Sequence, residues 1–208
     1  MVNYCIVGSG RQGTAAAYDI IKFASPKTLT IIDVSVENLN RCEEIIKRLT
    51  GFNINKIALD ISNEEKMIEA LQNIDIFLSS VPYPLNPYLT EVAIKSKTSM
   101  VDLGGHTQNV INQIKRTSEA VNADITIVPD CGMGPGMNVS MALLVMEGFD
   151  KVEEVRVWDG GLPQNPISPW NYNLFFNIQG LTNEYDGNAY FIRDGKVTEV
   201  SCFDDLES

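Results

Sequence analysis

Residues 4–20, YCIVGSGRQGTAAAYDI, constrain the fold more than any other stretch of the chain. A short apolar run, Tyr4–Val7, meets three glycines at the spacing G-x-G-x-x-G, and an alanine-rich helical pattern follows at once. Each glycine has a mechanical task. Gly8 permits a tight turn, Gly10 lets a ligand approach the main chain, and Gly13 lets the helix pack closely against the strand. Ser9, Arg11 and Gln12 complete the loop. The first turn of the helix offers unpaired N–H groups and the positive end of its dipole to a phosphate. Three glycines alone also suit an ordinary turn, but the fingerprint asks for a strand before, a helix after and an acid about twenty residues on. Asp33, at the end of the next apolar run, supplies the acid. Its carboxylate would accept hydrogen bonds from both adenosine ribose hydroxyls and repel a 2′-phosphate, so the expected cofactor is NAD, with NADP disfavoured.

The pattern continues as repeats of strand and helix. Strands are expected at Tyr4–Val7, Leu29–Asp33, Lys56–Leu59, Ile74–Ser79, Met100–Leu103 and Ile125–Val128. Helices are expected at Gln12–Phe23, Val36–Leu49, Asn63–Gln72, Pro87–Lys97 and Val110–Asn122, with Ser62 and Glu65 as a capping box for the third. Parallel strands need crossover connections, so the fold class is α/β, a Rossmann doubly wound parallel sheet. Beyond Val128 the texture changes. The Gly- and Pro-rich PDCGMGPGMN precedes a helix expected at Val139–Gly148, then a strand-like VEEVRVWDGG and a hairpin in NAYFIRDGKVTEV that turns at Asp194-Gly195. Residues 1–148 are therefore read as the NAD-binding domain and 149–208 as the start of a substrate and dimerisation domain. A hairpin and a strand make a poor core by themselves. Either a partner chain lends strands, or the sequence stops before that domain is complete.

Bulk properties narrow the partners. A formal net charge of −11 over 208 residues disfavours nucleic acid and anionic membrane surfaces. There is no signal-peptide pattern after Met1 and no apolar run of the ~20 residues a span needs. The four cysteines lack CxxC spacing and the chain has one histidine, so no metal site is expected and a reduced, cytoplasmic setting is the default.

Three further stretches, VDLGGHTQ (101–108), PDCGMGPGMN (129–138) and WDGGLPQNPISPWNYNLFFNIQGLTNEYDGNAYFIRDGKV (158–197), resemble the saccharopine dehydrogenase-like family, and within it the lysine 6-dehydrogenase branch. The resemblance implies a Rossmann domain followed by an α/β substrate domain, a homodimer, and NAD(P)-linked chemistry at a carbon bearing nitrogen. For that branch it implies oxidative deamination of the side-chain amine of L-lysine or a related amino acid. Family members extend past FDDLES, where the arginines expected to clamp a substrate carboxylate would lie. Two other readings stay open: a reductase that joins an amine to an aldehyde, as saccharopine and carboxynorspermidine enzymes do, and a chain that binds NAD without turnover.

Ligands of open α/β sheets lie beyond the carboxyl ends of the strands. Asp60 and Ile61, after the third strand, are placed near the adenine or in a turn and cap. Ser80, Val81 and Pro82, after the fourth, are placed beside the nicotinamide ribose. Gly104, after the fifth, brings backbone close to the ring. His106 is the candidate proton acceptor, or else a partner of the cofactor carboxamide, because imidazole titrates near neutrality. Asp102 would orient His106, bind the ammonium group or cap a helix. Cys131 is read as a small filler lining the nicotinamide face.

Overall fold

The computed structural model describes residues 1–174 and 178–204. Residues 175–177, within the third family-like stretch, and the closing 205–208 lie outside the described residues. The chain divides into two compact units, Met1–Val155 and Arg156–Ser208, a division later than the one expected after residue 148.

The first unit carries β1 (Asn3–Val7), α1 (Arg11–Asp19), β2 (Thr28–Asp33), α2 (Val36–Thr50), β3 (Asn55–Ala58), α3 (Glu64–Leu71), β4 (Ile76–Ser79), α4 (Asn86–Ser96), β5 (Ser99–Asp102), α5 (Thr107–Ile114), α6 (Thr117–Asn122), β6 (Ile127–Val128) and α7 (Met137–Met146). The six strands form one sheet in the order β3-β2-β1-β4-β5-β6, and every pairing is parallel. This is the Rossmann order, whose reversal between β1 and β4 opens a crevice at the carboxyl ends of those strands.

Strand periodicity explains the two-sided core. Cys5 and Val7 join Ile32, Phe77 and Met100 under Met67, Leu71, Leu89 and Val92, from α3 and α4. Ile6, Leu29 and Ile31 point the other way, under Ala17, Leu39 and Ile46 from α1 and α2. Side chains on both faces are buried, so β1 and β2 are mostly apolar, with Thr30 a buried exception, rather than alternating. Each fully buried Leu, Ile, Val, Met or Phe contributes about 1.5–3 kcal/mol relative to exposure.

Several boundaries differ from expectation for local reasons. Helix α2 lies where it is expected, with a signal at each end. Ser35 caps it through Asn38 N at 3.2 Å, and Gly51 closes it at φ 73°. Helix α3 is not capped by Ser62. Asp60 Oδ1 accepts the Ser62 N–H at 2.9 Å, a turn that delays the helix by one residue, and Asn63 caps it through Lys66 N at 3.1 Å. The expected helix at Gln12–Phe23 is α1 followed by a π turn, Ile20–Ala24. The helix expected at Val110–Asn122 starts earlier and breaks into α5 and α6. VEEVRVWDGG forms no strand.

In the second unit, α8 (Ile178–Tyr185) precedes an antiparallel hairpin, β7 (Asn188–Arg193) and β8 (Lys196–Ser201). Asp194 and Gly195 turn it at φ 50° and 73°, the two positive values a tight primed turn requires. Among the described residues no helix is long and apolar enough to cross a membrane.

Candidate functional site

The glycine loop sits where β1 and β4 part. Gly8 N donates to Ile32 O at 2.8 Å, and Ser80 N donates to Val7 O at 2.8 Å. The Ser80 hydroxyl donates to Gly8 O at 2.7 Å. Ser80 thus braces the loop from β4. A Cβ at Gly8, where φ is 101°, would lie 2.9 Å from the Ser80 carbonyl oxygen, and one at Gly13 would collide with the Gly8 carbonyl oxygen. Gly10 is different. Its φ is −66° and an added Cβ meets nothing within 4 Å. The turn at Gly8 and the close packing at Gly13 are filled by the protein itself. Gly10 faces open space as the N-cap of α1, which has no side-chain cap hydrogen bond and no acid in its first turn. A cradle of backbone N–H groups with room beside Gly10 fits a pyrophosphate. Arg11 and Gln12, in the first turn of α1, are exposed.

Asp33 closes the other side. Its Oδ2 accepts from both Ser9 N and Ser9 Oγ at 2.7 Å, and its Oδ1 accepts from Ser35 N at 2.8 Å. Loop and acid, 24 residues apart, are therefore joined directly. Leu59 N donates to Asp33 O at 3.0 Å, which brings the end of β3 alongside. Asp60 itself is engaged by Ser62, whose N–H holds its carboxyl below the usual range. Ile61 packs on the core, and its carbonyl accepts from Tyr88 OH at 2.7 Å. Val81 also packs on the core, while Pro82 leads a 3-10 turn, Tyr83–Leu85.

At β5 and β6 the centre is Asp102, which is fully buried. Its Oδ1 accepts from Gly104 N at 2.8 Å and Asp130 N at 3.3 Å, and its Oδ2 accepts from Gln113 Nε2 at 2.7 Å. Its main-chain oxygen accepts from Cys131 N at 2.7 Å. One residue thus holds together the loops after β5 and β6. A Cβ at Gly104, where φ is 71°, would collide with Asp130 Oδ1, so Gly104 makes room for that carboxylate. Burial, and then the nearby Asp102, push the Asp130 carboxyl up from its ordinary value. Burial, followed by Asp102 and Asp130, likewise pushes the Cys131 thiol up, which disfavours a reactive thiolate.

His106 stacks on Tyr83, with ring centroids 5.4 Å apart and planes 7° from parallel. Its Nδ1 is buried and takes part in no hydrogen bond with the protein. It makes no bond to Asp102, so the expected orienting pair is not formed; Asp102 serves the loops instead. Gln113, which the sequence did not single out, and Asp130, which it placed here only as part of the loop Asp130–Gly136, belong to this site. Gln113 is 4% exposed and bridges Asp102 to Thr90 Oγ1, the latter at 3.1 Å. Asp130, at φ 60°, adopts the left-handed conformation that Asp tolerates better than most side chains. The Asp in PDCGMGPGMN was its one available signal. Gln113 gave none, being a polar side chain on a helix whose Ile111 and Ile114 are exposed.

Comparison with known proteins agrees with this geometry. Residues 4–128 match the family described as the saccharopine dehydrogenase NADP binding domain. Bovine mitochondrial alpha-aminoadipic semialdehyde synthase is 27% identical over 179 residues, 81% of this chain and 18% of the relative. Saccharopine dehydrogenase [NADP(+), L-glutamate-forming] of Saccharomyces cerevisiae is 26% identical over 156 residues, 71% of this chain and 34% of the relative. The solved apo saccharopine dehydrogenase (L-Glu forming) from S. cerevisiae superposes with a TM-score of 0.65 at 20% identity, over 97% of this chain and 44% of that one. The chain spans less than half the length of each of these relatives. The family description names NADP, whereas Asp33 led to an expectation of NAD. With the match covering β1 through β6, the chain belongs to the saccharopine dehydrogenase NADP-binding domain family.

Proposed function

We propose that this chain is the dinucleotide-binding part of an NAD-dependent dehydrogenase acting at an amine-bearing carbon, with the side-chain amine of L-lysine or a related amino acid as substrate. The observation that carries the cofactor choice is the Asp33 carboxylate, fixed at the end of β2 against the glycine loop. A ribose 2′-hydroxyl would donate to it, whereas a 2′-phosphate would meet its charge. From Val34 to Asn40 the chain carries no cation, only Glu37. The class of reaction is supported by kinship with oxidoreductases whose names concern saccharopine and alpha-aminoadipic semialdehyde. Bound nicotinamide would supply the hydride acceptor. The chain's own part is to hold the dinucleotide through Gly8–Gly13 and Asp33, to lock the loops after β5 and β6 through Asp102, and to offer the His106 imidazole as acceptor for the proton that a neutralising amine loses.

Incubation of the purified protein with NAD and L-lysine at mildly alkaline pH, followed by NADH absorbance, tests this reading, and steady turnover is expected. The family's NADP description favours a second reading, an NADPH-dependent reductase that joins an amine to an aldehyde or keto acid. Oxidation of NADPH only when both co-substrates are present would select it. Asp33→Arg adds a guanidinium where the 2′-phosphate would lie. We expect it to weaken NADH binding by about tenfold, the loss of roughly one charged hydrogen bond, and to strengthen NADPH binding. Unchanged NADH affinity in a fluorescence titration would remove Asp33 from the ribose site.

A further inference from the structure

We infer that Ser9 is a specificity-determining residue of the dinucleotide site: its hydroxyl clamps Asp33, so the choice between NAD and NADP is made by the Ser9–Asp33 pair and not by the acid alone. The inference rests on the dinucleotide-binding reading above and names the device inside it.

A carboxylate has about four lone-pair positions. In this chain three are taken by the protein. Ser9 fills Oδ2 with its backbone N–H and its hydroxyl, both at 2.7 Å, and Ser35 N takes one position on Oδ1 at 2.8 Å. Two donors on one oxygen and a third on the other, from separate elements, leave the carboxylate no free rotation. It presents one open lone pair and a fixed negative charge. An unclamped Asp on an exposed turn swings away from an approaching phosphate at little cost, whereas this one is held in place.

Ser9 is suited to the task. It is 1% exposed, so water does not compete for its hydroxyl. That hydroxyl has a single proton, and it goes to Asp33. The backbone beside it is fixed as well, because Thr14 Oγ1 donates to Ser9 O at 3.2 Å and Thr14 N donates to Gly10 O at 3.0 Å. The loop that would bind the pyrophosphate and the acid that would bind the ribose therefore share one residue. A cation, Arg11, is exposed two residues on from Ser9, so a charge able to serve a 2′-phosphate is present in the same segment.

The test is a titration of NADH and NADPH, read by nicotinamide fluorescence, into the wild type, Ser9→Ala, Asp33→Ala and the double variant. The wild type is expected to prefer NADH. Ser9→Ala should lower the preference for NADH over NADPH about tenfold, chiefly by strengthening NADPH as the freed carboxylate turns away from the 2′-phosphate, a change the size of one hydrogen bond to a charged group. In the Asp33→Ala background the same serine change should leave the ratio within about twofold, because the clamp has nothing to hold. Thermal melting of each variant separates loss of fold from loss of discrimination, and a merely structural serine would lower both affinities equally. A wild type that prefers NADPH overturns the inference, as does a Ser9→Ala ratio within about twofold of wild type, or an equal drop in both backgrounds. A wild type that binds neither dinucleotide overturns the underlying reading, an outcome distinct from the others.

Discussion

Gly10→Val is expected to weaken NADH binding by about a hundredfold or more while the sheet stays folded. The position separates the two effects cleanly. An added Cβ at Gly10 meets nothing within 4 Å, and φ of −66° is open to any residue. The protein alone therefore tolerates the side chain, at about 1 kcal/mol for a poorer N-cap. The branched side chain would fill the space beside the first turn of α1, where a pyrophosphate has to approach the backbone. Two charge-assisted hydrogen bonds lost there, at roughly 1.5–3 kcal/mol each, give the stated factor. Gly8 and Gly13 would be poor sites for the experiment, since a Cβ at either runs into Gly8–Ser80 backbone and confuses binding with folding. Fluorescence titration with NADH and a melting curve on the same sample read the two quantities. Retained affinity in a folded Gly10→Val protein would mean that the phosphates lie elsewhere.

The same contrast explains what could be read from the sequence. Strands β1, β2, β4 and β5 announce themselves because a parallel sheet buried on both faces needs mostly apolar runs, and Tyr4–Val7 and Leu29–Ile32, the latter interrupted by Thr30, provide them. The glycine loop was legible because backbone geometry leaves few residue choices: φ of 101° at Gly8 and the close packing at Gly13 both select glycine. VEEVRVWDGG failed for the opposite reason. Its alternation is that of a half-buried strand, but a strand exists only with a neighbour, and Val155 and Val157 are instead about half exposed. Asp102 shows a deeper limit. The sequence places an acid at a strand end beside a histidine, which suggests chemistry. What decides its task is a set of donors from residues 104, 113 and 130, and no local pattern reveals that they converge.

That convergence makes Asp102→Ala the variant with the largest expected loss of stability. The substitution removes a buried acceptor from the N–H groups of Gly104 and Asp130 and from the Gln113 amide. An unsatisfied buried donor costs about 1–3 kcal/mol, so a loss of about 3 kcal/mol in urea unfolding is expected, allowing for water entering the space left behind. Asp102→Asn should be much milder, at about 1 kcal/mol. It keeps an acceptor for the two backbone donors. A half-turn of the Gln113 amide would then bring its own Oε1, which has no partner at present, to face the new amide donor. The pair of variants separates scaffold from chemistry. If Asp102 holds the loops, stability follows the hydrogen-bond count, with alanine severe and asparagine mild, and NADH binding falls in step. If instead its charge serves the substrate, asparagine will be as stable as wild type and bind NADH equally well, yet lose turnover by orders of magnitude. Alanine within about 0.5 kcal/mol of wild type would show that the three donors find other partners, and the loops after β5 and β6 would then owe their positions to something other than this carboxylate.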